Sequence, residues 1–82
     1  MAQFDINVKH TPLKFIMTQP PKQRERLLLA ISRLPSGDVA KKVGSQSMYR
    51  LRVGDYRVIF DMDRKNMRIT VLEIGNRGDV YK

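Results

Sequence analysis

Cysteine and tryptophan are absent from the 82 residues, and histidine occurs once. Without cysteine there is neither a disulfide framework nor thiolate chemistry, and a cytoplasmic location is the natural expectation. A single histidine, His10, excludes paired-imidazole acid–base chemistry, and a lone imidazole usually titrates without catalysing. No group of His, Cys and carboxylates has the spacing of metal ligands, so neither a metal nor another cofactor is expected. No apolar run is long enough to span a bilayer. The stretch Met1-Ala2-Gln3-Phe4-Asp5 lacks the charged and apolar regions of a secretory signal, so no membrane partner is expected.

Acidic residues are also scarce. Eight Asp and Glu stand against 16 Lys and Arg, a net charge of +8. On so small a surface that excess favours polyanionic partners such as nucleic acid or a nucleoprotein. The basic residues are unevenly spread: Arg50, Arg52, Arg57, Arg64, Lys65, Arg68 and Arg77 crowd the second half.

With 82 residues there is room for a single domain over 1–82. A chain of this size buries only roughly 60 % of its unfolded surface, so a modest core must suffice. Phe4, Ile6 and Val8 alternate with polar neighbours, the period of a half-buried strand. Thr11-Pro12 then reads as a helix start, with Thr11 as N-cap and Pro12 in the first helical position, for a short helix to about Thr18. Pro20-Pro21 ends that helix and opens a second, from Pro21 to about Leu34, with Leu27, Leu28, Ile31 and Leu34 on one stripe. Residues 38–47 read as a polar connection containing Lys41, Lys42 and Gly44.

The remainder is strand-like. Tyr49, Leu51 and Val53 alternate with Arg50 and Arg52, and Gly54-Asp55 supplies a two-residue turn of type II′. Tyr56, Val58, Phe60 and Met62 form the returning strand. Asp63-Arg64-Lys65-Asn66 turns again, and Met67–Ile74 is rich in β-branched residues. The expected fold is α+β: an N-terminal strand, a two-helix hairpin, then an antiparallel meander with both helices on one sheet face.

Counting outward from Gly54-Asp55 fixes the hairpin register. Val53 faces Tyr56, Arg52 faces Arg57, Leu51 faces Val58 and Arg50 faces Ile59. Arg50, Arg52 and Arg57 therefore share the face away from the helices. Arg52 and Arg57 form a non-hydrogen-bonded pair, the closer kind. Like charges in that position destabilise a sheet by roughly 0.2–1 kcal/mol. An anion seated between them reverses the sign, and the guanidinium fork can hold a phosphate at two oxygens. The bland alternative is a solvated basic face with Asp61 or Glu73 as counter-ions.

The stretch Tyr49-Arg50-Leu51-Arg52-Val53-Gly54-Asp55-Tyr56-Arg57-Val58-Ile59-Phe60, followed by Ile74-Gly75-Asn76-Arg77 and Val80-Tyr81, resembles the RelE branch of the RelE/ParE superfamily. The resemblance spans almost the whole chain. It implies the toxin of a type II toxin–antitoxin pair: a ribosome-dependent mRNA endoribonuclease that cuts in the A site. In such toxins a 2′-hydroxyl attacks its own phosphodiester, without a metal, leaving a 2′,3′-cyclic phosphate and a 5′-hydroxyl. Carried over position by position, the resemblance implies catalytic roles for Arg52, Arg57, Arg77 and Tyr81. Arg50, Arg52 and Arg57, with Lys41 and Lys42 in the connection, are the expected RNA- and phosphate-binding set. Implied partners are the ribosome, mRNA and a RelB-like antitoxin.

The sequence departs from its relatives at two positions, where well-studied members carry lysine and this chain has Arg50 and Arg52. Arginine effectively cannot release its proton, so the change leaves phosphate clamping intact and removes an acid–base group. Tyr81 then stands as the only candidate base of that set, its phenolate favoured by neighbouring guanidiniums. It could equally stack on a nucleobase, and both roles stay open. Two further readings use the same fold and charge: a ParE-like DNA gyrase inhibitor without catalysis, and a non-catalytic RNA-binding protein.

Overall fold

The computed structural model describes residues 3–76. Its elements are β1 (Asp5–Val8), α1 (His10–Met17), α2 (Pro21–Ser32), β2 (Val39–Lys41), β3 (Met48–Val53), β4 (Tyr56–Asp63) and β5 (Arg68–Asn76). The α+β architecture is the expected one: five strands form one sheet in the order β1-β5-β4-β3-β2, with the helix pair over one face. Two features go beyond the expected meander. β1 lies parallel beside β5, which makes the sheet mixed. The connection expected to be irregular also contributes an edge strand, β2, antiparallel to β3.

Helix ends follow the prolines, with adjustments. α1 starts at His10 behind Lys9, which makes no side-chain cap, so the expected Thr11 cap is not formed. Pro12 nonetheless falls in the first turn, where its missing N–H leaves no bond unmade. Pro20 occupies the N-cap of α2 and Pro21 its first position. α2 ends at Ser32, and Leu34 follows beyond the helix but remains buried. Leu27, Ile31 and Leu34 form the buried stripe, whereas Leu28 is 43 % exposed. It stands about 100° round the helix from Leu27, which carries it off the core face.

The core is the sandwich between those helices and one sheet face. Ile16, Leu27 and Ile31 meet Leu51, Val58, Phe60, Met62, Ile69 and Val71. Tyr49 and Phe60, neighbours across β3 and β4, stack with ring centroids 5.7 Å apart. β5 keeps its apolar residues inward by means of a bulge. Ile59 pairs with Glu73 but Phe60 pairs with Val71, leaving Leu72 as the extra residue. The shift lets Val71 and Ile74, three apart, both face the core.

Candidate active site: an arginine cleft on the open sheet face

The β3–β4 hairpin positions the site. Gly54 takes φ +59°, and no other residue of that turn has positive φ, the signature of a type II′ turn. Its tightness fixes the register: Val53 lies opposite Tyr56, Arg52 opposite Arg57, Leu51 opposite Val58 and Arg50 opposite Ile59. With Leu51, Val53, Tyr56 and Val58 committed to the core, the alternating arginines must face the other way.

On that face Arg50, Arg52 and Arg57 line one cleft of about 170 Å³, together with Asp38 and Ala40. Ala40 pairs with Arg50 across β2 and β3, and its methyl leaves room that a longer side chain would fill. On the far side Arg57 pairs with Gly75, which has no side chain at all. Ile59 lies on this face yet is only 6 % exposed, giving the sheet an apolar floor beside Arg50. Arg57 is half-buried, and its Nε is shielded from solvent.

Asp38 supplies the cleft's negative charge. Arg52 Nε donates to Asp38 Oδ2 at 2.8 Å, and the Arg52 backbone N–H donates to the Asp38 carbonyl at 3.0 Å. The two side chains are 59 % and 60 % exposed. An ion pair that open to water contributes about 0–1 kcal/mol, so an incoming phosphate can compete for the guanidinium. Gly37, at φ +120°, makes the turn that brings Asp38 here, with Val39 N–H donating back to its carbonyl at 2.9 Å.

The structure therefore gathers three of the residues singled out from sequence, Arg50, Arg52 and Arg57. Lys41 and Lys42 do not line the cleft. Lys41 pairs with Tyr49, which puts it on the helix side of the sheet, and Lys42 follows the end of β2. Arg77 and Tyr81 lie outside the described residues. His10 opens α1, away from the cleft. Of the expected counter-ions, Asp61 lies opposite Met48 and Glu73 opposite Ile59; the carboxylate on Arg52 is Asp38. Sequence reasoning missed Asp38 because β2 is only three residues long. Val39, an apolar residue inside a polar stretch, was the available hint.

Proteins of known family and structure share this fold. The model of the ParE toxin of type II toxin–antitoxin systems matches residues 13–81. An archaeal RelE–RelB complex from Pyrococcus horikoshii OT3 shares the fold with TM-score 0.76 and 27 % identity, over 96 % of this chain and 99 % of that one. The RelB–RelE complex from Methanococcus jannaschii gives 0.72 at 24 % identity, over 92 % and 94 %. The isolated E. coli RelE toxin gives 0.68 at 19 %, over 95 % and 90 %. No curated relative matches the sequence. On the strength of a family match over most of its length, this chain belongs to the ParE toxin family and is a type II toxin of the RelE/ParE superfamily.

Proposed function

We propose that this toxin is an mRNA endoribonuclease that cuts message in the ribosomal A site. The observation that carries the reading is the convergence of Arg50, Arg52 and Arg57 on one cleft, with two of them directly opposed. A pair of guanidiniums in that geometry is unfavourable alone and favourable around a phosphate. Arg52 and Arg57 hold the scissile phosphodiester and stabilise the charge that builds on its oxygens as the 2′-hydroxyl attacks. Arg50 grips the neighbouring backbone, and Lys41 and Lys42, outside the cleft, add positive charge at the β2 edge of the sheet. Arg77 and Tyr81 complete the set, Arg77 toward the leaving oxygen and Tyr81 as a base or a stacking platform. The ribosome supplies substrate orientation, a contribution that can reach several kcal/mol.

The partners in this reading are the ribosome with its mRNA and a cognate RelB-like antitoxin. Relatives of this fold were crystallised with RelB. A net charge of +8 suits fast association with an acidic partner. The site of action is the cytoplasm, where translation takes place. Among the described residues no helix is long and apolar enough to cross a membrane.

One observation favours a second reading: the matching family model is that of ParE, which supports inhibition of DNA gyrase without chemistry. A three-arm experiment decides. Purified toxin is added to programmed ribosomes, to naked mRNA and to gyrase with relaxed plasmid. Cuts mapped to ribosome-bound message, with supercoiling intact, establish the ribonuclease. Intact message with blocked supercoiling establishes the gyrase inhibitor.

A further inference from the structure

We infer that Asp38 is the proton acceptor of the cleft, taking the 2′-hydroxyl proton of the ribose whose phosphate sits on Arg52 and Arg57. The inference rests on the ribonuclease reading, gives the base's part to Asp38, which the arginines cannot take, and leaves Tyr81 the stacking one. In-line attack by a 2′-hydroxyl requires somewhere for its proton to go. Of the cleft's lining residues, Ala40 has no polar side chain and the three arginines stay protonated at any working pH. Among the described residues, Asp38 is the one lining side chain with a lone pair to offer.

Its placement suits the task. The backbone bond from Arg52 N–H and the side-chain bond from Arg52 Nε hold Asp38 at two points. Only Oδ2 is engaged; among the described residues Oδ1 accepts no hydrogen bond and is available to a hydroxyl. The pairing uses Arg52 Nε, which leaves both Nη groups for a phosphate. A carboxylate and a phosphate held on adjacent edges of one guanidinium lie side by side, the relation a 2′-hydroxyl and its 3′-phosphate require of their acceptors. At 60 % exposure the Asp38 side chain is open to a ribose approaching from solvent.

The step balances without any further reagent than water. The 2′ O–H bond breaks and its proton moves to Asp38 Oδ1, while the 2′-oxygen bonds to phosphorus. The bond from phosphorus to the 5′-oxygen breaks, and that oxygen keeps the electron pair and takes a proton from solvent. Asp38 then returns its proton to solvent. The products are a 2′,3′-cyclic phosphate and a 5′-hydroxyl, with no change of oxidation state.

The test is Asp38→Asn, which keeps an acceptor oxygen for Arg52 Nε and nearly the same volume but abolishes the base. Single-turnover cleavage is measured on programmed ribosomes. Binding is measured on ribosomes whose message carries a 2′-methoxy group at the cut site and cannot react. The cleavage rate is expected to fall by about 10²-fold or more, with binding unchanged and Asp38→Glu recovering part of the rate. The defect is expected to persist on a message with sulfur in the bridging 5′ position, because a thiolate leaves without a proton and so rescues only a lost acid. Cleavage by Asp38→Asn at the wild-type rate overturns the assignment. So does a defect carried wholly by binding, which makes Asp38 an orienting partner of Arg52, or one rescued by sulfur. Wild-type toxin that leaves message intact removes the ribonuclease reading itself, an outcome distinct from wild type and variant cutting equally fast.

Discussion

Arg52 and Arg57 stand opposite each other on β3 and β4, and the Arg52 backbone N–H turns outward to the Asp38 carbonyl rather than toward Arg57. That outward bond marks the pair as the non-hydrogen-bonded kind, whose Cα atoms approach to roughly 4.5 Å. Two cationic side chains thus spring from adjacent backbone positions and line one cleft despite their repulsion. The arrangement makes sense as a receptor for a third, negative group, and Asp38 already occupies one edge of it.

Substituting Arg52 separates function from stability. The side chain is mostly exposed and its ion pair with Asp38 is weak, so Arg52→Thr is expected to remain within about 1 kcal/mol of wild type. Relief of the cross-strand repulsion offsets part of any loss. Affinity for sulfate or phosphate should fall about tenfold or more, since a charge-assisted bond contributes about 1.5–3 kcal/mol. A thermal melt beside an anion titration checks both. Undiminished sulfate binding by the variant would dismiss the cleft as an anion site.

Gly54 carries the hairpin. Its φ of +59° is unfavourable for a residue with a side chain, and a Cβ there would lie 3.1 Å from Arg26 Nη1. Arg26 is the end of a flexible side chain and can move, so the backbone term dominates. Gly54→Ala is expected to cost about 1–2 kcal/mol. Urea denaturation reads this as a lower midpoint with an unchanged slope.

Tyr56 ties the start of β4 to the junction of the helices. Its hydroxyl donates to Gln19 Oε1 at 2.8 Å, and its ring meets Phe15 edge-on at 6.0 Å. Tyr56→Phe keeps the ring packing and removes the bond, a loss of about 0.5–1.5 kcal/mol. Calorimetry should show a melting point lower by several degrees, since about 1 kcal/mol moves a domain of this size by about 4–8 °C. An unchanged melting temperature would mean that water replaces the hydroxyl without loss.

The turn after β4 gives a pH signature. Asn66 donates from its side chain to Asp63 Oδ2 at 2.8 Å and from its backbone to Oδ1 at 3.1 Å. The side-chain bond foremost, then the backbone bond, holds the Asp63 carboxyl below the usual aspartate range. A carboxylate with a depressed folded-state pKa stabilises above its unfolded value, near 3.9, and that contribution fades as pH drops through the lower folded value. Wild type should therefore exceed Asn66→Ala in stability at neutral pH, and the gap should close in acid. Denaturation midpoints at a series of pH values follow the closure; a gap constant down to the lowest pH contradicts it.

Much of the site was legible because a tight turn turns counting into geometry. Once Gly54-Asp55 is the loop, the face of every residue from Tyr49 to Phe60 follows from the two-residue period, and the observed register agrees pair by pair. Leu28 shows where pattern reading is weaker: a stripe three or four residues wide tolerates a neighbour that the helix in fact turns away from the core. Ile59 shows the converse, an apolar residue buried on the face assigned to solvent.

Local chemistry in the chain itself decided the helix breaks at the prolines, the hairpin and its paired arginines, and the excess of positive charge that calls for a polyanion. Long-range pairing decided the rest. β1 joins β5 in parallel across more than sixty residues of sequence, and β2 brings Asp38 to Arg52 from 14 residues away. Such contacts are selected by the burial of the whole sheet, and the period of a segment does not say which strand it joins. For that reason the cleft's cations could be read from the sequence and its carboxylate could not.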